Sequence, residues 1–219
     1  MKRFLLLFLW TFVLLGLQAQ IPYFAGTAGD GKLYGYTSLK LRPSINAQET
    51  YTTFQYGLGD HFALGADFYT GVSSNYMGFL ARYGMPVSKW FNVGVQVTPS
   101  FNLNHNFEFG YLTSALYLNG NISRDGSWFW CANTWWGVNS GSNVKNTIDQ
   151  WFYVGRTYSF RNGDSITPML GTLYSWKLNQ DADVVAGFYY THGKYNFYLW
   201  GNDFLRDNPR IIAGVDFKF

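Results

Sequence analysis

The sequence predicts an all-β fold: a closed antiparallel up-and-down transmembrane β-barrel of about twelve strands joined by short turns. Three observations predict it. Aromatic residues fill 21% of the 219 positions, with 9 Trp and 17 Tyr, while only 13% are charged. A water-soluble domain usually carries about 25% charged residues, whereas a wall that meets lipid needs fewer charges and places Trp and Tyr at the two headgroup levels. Beyond residue 31 no stretch keeps a helical period or reaches the length of a transmembrane helix, and apolar and polar positions alternate. The stretch Arg210 to Phe219 alternates throughout, so Ile211, Ala213, Val215, Phe217 and Phe219 form a lipid-compatible stripe. Gly214, Asp216 and Lys218 then face the interior.

The elements follow in chain order. Residues 1–19 read as a secretory signal peptide, with a cationic Met1-Lys2-Arg3, an apolar run from Phe4 to Leu17 and cleavage near Ala19. That run is too short to span a bilayer as a helix, which takes roughly 20 residues. Residues 20–31 carry little pattern; they are expected to lie loose in the periplasm, with pairing at an edge or entry into the lumen as the alternatives. The barrel is expected over residues 32–219, with strands at 32–42, 49–58, 62–71, 76–85, 91–101, 107–118, 128–139, 149–160, 165–177, 183–192, 195–202 and 209–219. In the sixth, Phe107, Phe109 and Tyr111 prefer one face and Leu112, Leu116 and Leu118 the other, which calls for a bulge near Tyr111. That conflict, and the merging or splitting of 183–202, leave room for ten or fourteen strands.

Turn chemistry sets the faces. Asn162-Gly163 reads as a two-residue type I′ turn, which pairs Arg156 with Met169 and Tyr158 with Thr167 and points Arg156 inward. Gly193-Lys194 reads as a type II′ turn pairing His192 with Tyr195 on the lipid side. In the seventh strand Trp128, Trp130 and Trp136 share the outer face. From Trp128 to Trp136 the strand covers roughly 26 Å, or about 20 Å of height once tilted, close to the ~25 Å apolar band between aromatic girdles.

The same alternation turns Lys40, Arg42, Glu49, Asp67, Arg82, Glu108, Arg156, Lys177, Asp183, Asp216 and Lys218 inward. Arg42 is expected opposite Glu49 and Asp67 opposite Arg82, as ion pairs that either fill the interior or form a mixed-charge constriction. Twelve tilted strands give a backbone diameter of about 24 Å. Tyr34, Tyr36, Tyr51, Tyr69, Phe129, Trp135, Tyr158, Tyr189, Tyr198 and Trp200 read inward and would narrow it. The candidate lumen-lining set is Arg42, Glu49, Asp67, Arg82, Glu108, Trp135, Arg156 and Tyr189. Such a lining suits small solutes with a flat apolar face, such as sugars or nucleosides, and suits a packed interior equally well.

Other chemistry is weakly marked. The chain has 16 Lys+Arg against 13 Asp+Glu, and without Lys2 and Arg3 the balance is 14 against 13, so no basic patch invites nucleic acid. Gly26 to Lys32 fits the spacing of a phosphate-binding loop, yet Leu33 replaces the magnesium-binding hydroxyl and a strand follows where a helix is required. His61, His105 and His192 are scattered, and the single Cys131 has no disulfide partner, so neither a metal site nor a cofactor is expected. His105 near Ser100 is the one arrangement that a lipid-acting barrel enzyme could use, and a polar surface loop explains it more simply.

The signal peptide, the alternating strands, the short turns and the Val215, Phe217, Phe219 ending together resemble the small outer-membrane β-barrel proteins of Gram-negative bacteria, and Leu17-Gln-Ala-Gln resembles Bacteroidota export sites. The resemblance implies an address in the outer membrane, contact with its lipid, and recognition of Val215, Phe217 and Phe219 by the barrel-assembly machinery. It leaves three functions open: a narrow passive channel for small solutes, a non-conducting structural or interaction barrel, and a lipid-acting enzyme. A soluble secreted β-protein is the remaining alternative.

Overall fold

The computed structural model describes residues 25–43, 47–88, 90–139, 146–176, 181–205 and 208–219; the signal-peptide reading and Lys177 lie outside them. Twelve antiparallel strands form the wall: β1 (Leu33–Arg42), β2 (Ala47–Gly57), β3 (Phe62–Thr70), β4 (Asn75–Ser88), β5 (Phe91–Asn102) and β6 (Glu108–Asn121). They continue as β7 (Trp128–Asn139), β8 (Thr147–Arg156, resumed in the same register at Tyr158–Ser159), β9 (Ser165–Ser175), β10 (Asp183–His192), β11 (Tyr195–Asn202) and β12 (Arg210–Lys218). Each strand pairs with its chain neighbours, and β12 pairs with β1, so the sheet has no edge.

That seam sets Tyr36 opposite Asp216 and Tyr34 opposite Lys218. Leu33, Phe219 and the turns before β3, β5, β7, β9 and β11 mark one end, the terminal rim. The other connections mark the loop rim.

Side chains alternate between a largely apolar outer face and the lumen, as a closed barrel requires. On β12, Ile212 and Asp216 are buried while Ile211 and Phe219 are exposed, as the stripe requires. On β9, Thr167, Met169 and Leu173 are buried, and Leu170 and Trp176 face out. Cross-strand rings thicken the outer girdle at the terminal rim: Phe54 against Phe217 at 6.2 Å, and Tyr195 against Phe219 at 6.1 Å. The parity conflict in β6 resolves at Gly110, the extra residue between Tyr111 opposite Ser100 and Phe109 opposite Phe101.

Two registers differ from those expected by an even number of residues. Glu49 faces Lys40, and Arg42 faces Ala47; Asp67 faces Gly78, and Arg82 faces Ala63. An even slip preserves the face, so all four side chains still point inward, but neither ion pair forms. The hairpin after β8 slips by one. Phe160 N–H donates to the Asp164 carbonyl at 2.8 Å, leaving the three residues 161–163 as the loop with Gly163 at φ +90°. A three-residue loop ending in a left-handed glycine is the next commonest hairpin after the two-residue turns. Gly155 rather than Arg156 therefore faces Met169, and Ile166 rather than Thr167 faces Tyr158.

The slip turns Arg156 and Tyr158 to the outside. There the Arg156 guanidinium lies 4.7 Å from the Tyr158 ring and 5.3 Å from the Trp128 ring. The Gly193–Lys194 turn keeps its expected two residues, with His192 opposite Tyr195.

The segment 25–31 runs inside the terminal end of the barrel, where Ala25 and Ala28 are fully buried, and not loose in the periplasm. Its amides explain why. A short polar backbone can enter a lumen only if the wall supplies partners, and Asn119 and Gly57 do so.

Candidate functional site

The lumen is filled at its terminal end, and among the described residues a cavity lies toward the loop rim. Its floor is built by strands that each contribute one inward polar or aromatic group. On β4, β5 and β6, Arg82, Gln96 and Tyr117 meet: the guanidinium stacks 4.2 Å from the Tyr117 ring and donates to Gln96 Oε1 at 3.3 Å. The Tyr117 hydroxyl donates to the same oxygen at 3.1 Å. Arg82 is 2% exposed, and a ring face and an amide carbonyl are among the groups that meet its charge. Beside it, Asp67 accepts from Thr53 at 2.8 Å and from the Tyr51 hydroxyl in a short contact.

The opposite wall is aromatic. Tyr153, Tyr189, Tyr198 and Trp200 pack with centroids 5.2–5.9 Å apart, joined by Cys131, Met169 and Val185. On β12, Asp216 accepts from Asn196 Nδ2 of β11 at 2.6 Å.

Above this floor lies a cavity of about 300 Å³. Tyr36 and Tyr51, and then Tyr69, Tyr76 and Tyr111, form two runs of touching rings along one side of it, at 4.9–6.2 Å. Trp135 and Trp200 stand on other strands of the wall, with Asn133, Gln96, Thr98 and Ser100 as hydrogen-bonding groups between. Among the described residues lining it, the charged ones are Lys40, Asp67 and Asp149. This is a pocket of ring faces interleaved with short polar side chains, suited to a compact solute with one flat face and several hydroxyls or amides.

The candidate residues separate accordingly. Asp67 and Trp135 line the cavity, Arg82 lies in its floor, and Tyr189 is interior but packed beneath Trp200. Glu49 faces Lys40 near the mouth, and Glu108 sits exposed at the loop rim. Arg42 is at the mouth, where it bridges Asp203 at 3.0 Å and donates to the Asn208 carbonyl at 3.0 Å, pinning the loop before β12. Arg156 belongs to the outer girdle and lines nothing. Ser100 is buried in the lumen wall, while His105 is exposed at the tip of the β5–β6 hairpin. Among the described residues no group of three or more His, Cys, Asp and Glu could hold a metal ion.

Sequence reasoning overlooked Gln96, Tyr117, Asn119, Asn133 and Asp149. Gln96 was legible in the alternation Gly94, Gln96, Thr98, Ser100; the β6 and β7 residues were hidden behind their many aromatic neighbours.

No protein-family model matches the chain, and no curated protein matches it in sequence. Solved structures do resemble it. KdgM porin aligns over 85% of this chain and 99% of its own, at 10% identity and a TM-score of 0.58. KdgM porin in complex with disordered oligogalacturonate aligns over 86% and 99%, at 11% identity and 0.60. NanC porin aligns over 85% and 100%, at 10% identity and 0.56. At these identities the likeness is one of fold: the chain shares the whole barrel of these porins, end to end.

Proposed function

We propose that the chain is an integral outer-membrane barrel that takes small solutes into its lumen and serves as a narrow passive channel for them. The observation that carries this reading is the cavity of about 300 Å³ on the loop-rim side of the lumen, lined among the described residues largely by tyrosines, tryptophans and uncharged polar groups. The exposed apolar stripes, the aromatic girdles and the shared porin fold support the membrane address, with the loop rim outward and the terminal rim toward the periplasm. Among the porins of like fold, KdgM is seen in complex with disordered oligogalacturonate, a polyanion. This cavity sets one Lys against two Asp, so a neutral ring-shaped solute, a sugar or a nucleoside, fits it better.

Proteoliposome swelling with neutral hexoses, disaccharides, nucleosides and oligogalacturonate tests the reading, together with bilayer conductance. Uptake of the neutral solutes above protein-free vesicles is expected, slowed for oligogalacturonate. If neither the full chain nor a form lacking residues 25–31 passes any solute or current, the channel reading fails. The non-conducting barrel would then be the better account.

A further inference from the structure

We infer that residues 25–31 form a built-in stopper for the terminal end of the lumen, and that the channel conducts fully only when this segment leaves its seat. The inference rests on the channel reading for its conductance arm and on the wall's own architecture for its seating arm. Three inward glycines on three strands make the seat. A Cβ at Gly57 would stand 1.8 Å from the Gly29 carbonyl oxygen, one at Gly84 1.8 Å from the Ala25 carbonyl oxygen, and one at Gly94 2.4 Å from the same atom. Backbone meets backbone at all three, so no side-chain rotation could relieve a substitution.

The contacts are also polar and directional. Asn119 Oδ1 accepts the Ala25 N–H at 2.9 Å, the Asp60 carbonyl accepts the Thr27 hydroxyl at 3.0 Å, and the Gly57 carbonyl accepts the Gly31 N–H at 3.1 Å. Asp30 pairs with Gly57 as a parallel bridge. Groups on β2, β5, β6 and the β2–β3 and β4 wall thus hold one stretch of seven residues. A tail merely resting in a lumen would not find a glycine-lined groove and a buried amide waiting for it.

The segment also supports the floor of the cavity. Ala25 packs with Ala115 and Tyr117, and Ala28 with Tyr34 and Tyr36. Tyr117 carries the Arg82 stack and meets Trp135 edge-on at 5.4 Å. Withdrawing the segment frees one face of Tyr117, Tyr34 and Tyr36 and thins the barrier between the cavity and the terminal rim to the side chains of the floor. Occupancy of the cavity and seating of the stopper then meet at Tyr36, which borders both, and at Tyr117, which touches the cavity-lining Trp135.

Two sets of variants test this on the full chain. In a Cys131→Ala background, Thr27→Cys reports seating through its reaction with a charged, bilayer-impermeant thiol reagent, with Asn162→Cys in the exposed turn as reference. Thr27→Cys is expected to react at least tenfold more slowly than the reference. Ala25→Asp and Ala28→Asp place a carboxylate in the seat without altering the wall; Gly84→Val with Gly94→Val alters the wall alone. Each is expected to bring Thr27→Cys to the reference rate and raise single-channel conductance several-fold, while heat-modifiable mobility shows an intact barrel.

Deleting 25–31 should raise conductance equally and covers the case in which a variant does not assemble. Fast labelling of Thr27→Cys in the unaltered segment overturns the seat. Slow labelling followed by eviction with unchanged conductance overturns the stopper while leaving a conducting wild type intact. A barrel that never conducts in any form sinks the channel reading instead, and the labelling result still stands on its own.

Discussion

Arg156 shows how a single side chain reports which way a strand faces. Lying between Trp128 and Tyr158 on the outer surface near the terminal rim, it can bury its stem in the girdle while its guanidinium reaches the headgroup layer. Arg156→Ala is therefore expected to lower unfolding stability in lipid vesicles by about 1 kcal/mol, the scale of an exposed cation–π contact, and to leave conductance unchanged. A shift in ion selectivity would place the residue in the lumen instead. Asp164 gives the pH dependence at this scale. Hydrogen bonds from the Tyr190 hydroxyl at 2.6 Å and the His192 ring at 2.8 Å hold its carboxyl below the usual carboxylate range. The folded turn thus binds that proton less tightly than the unfolded chain does. Its stabilisation is complete above the ordinary carboxylate pKa of about 4 and is lost as pH falls through the depressed value. Hydrogen exchange at residues 161–163 should accelerate on acidification through that window, and Asp164→Asn should flatten the response.

Hairpins decide what a β sequence can tell. Alternation alone identified the facing of β1, β9 and β12 correctly, because a buried stripe needs only parity. Pairing needs loop length, and the Asn162–Gly163 pair admits both a two-residue turn and a three-residue loop closed by a left-handed glycine. Choosing the first moved Arg156 and Tyr158 through the wall, whereas the even slips at Glu49 and Asp67 cost only their partners. Nothing local could show that Asp203, at φ +61°, would reach across the mouth to Arg42, since that contact joins residues far apart in the chain. Deleting Asn162 would leave a two-residue loop that still sets Phe160 opposite Asp164, whereas deleting Thr167 inside β9 would put every pair beyond it one residue out of step with β8. We expect the latter variant to lose heat-modifiable mobility and accumulate unassembled, while deleting a residue from the wider β5–β6 tip at 103–107 should be tolerated.

Among the described residues the molecule is a tube stabilised from within at one end and holding a cavity toward the other. The ring of Tyr153, Tyr189, Tyr198 and Trp200 is its densest apolar knot, and Trp200 also borders the cavity. Trp200→Ala should cost about 3–5 kcal/mol of stability, as large-to-small core changes do, and should raise the size cutoff in liposome swelling. The exclusion limit moving without a stability loss would show that the indole swings freely and does not bear on the wall. The cavity itself was legible in outline, since Trp135, Asp67 and the inward tyrosines were read from alternation. Its floor was not, because the fate of residues 25–31 depends on glycines whose meaning appears only when Gly57, Gly84 and Gly94 stand side by side around one groove.

The position of that groove along the chain has a further consequence. The groups that hold residues 25–31, from Gly57 and Asp60 through Gly84 and Gly94 to Tyr117 and Asn119, lie within residues 57–119, none more than 94 residues from its partner. The ring, by contrast, is completed by β12, the strand nearest the other terminus. During assembly the seat can thus be furnished and occupied before the seam exists. The last strand then zips the wall shut around a lumen already stoppered, so a nascent barrel would pass from half-built to sealed without an intervening leaky pore.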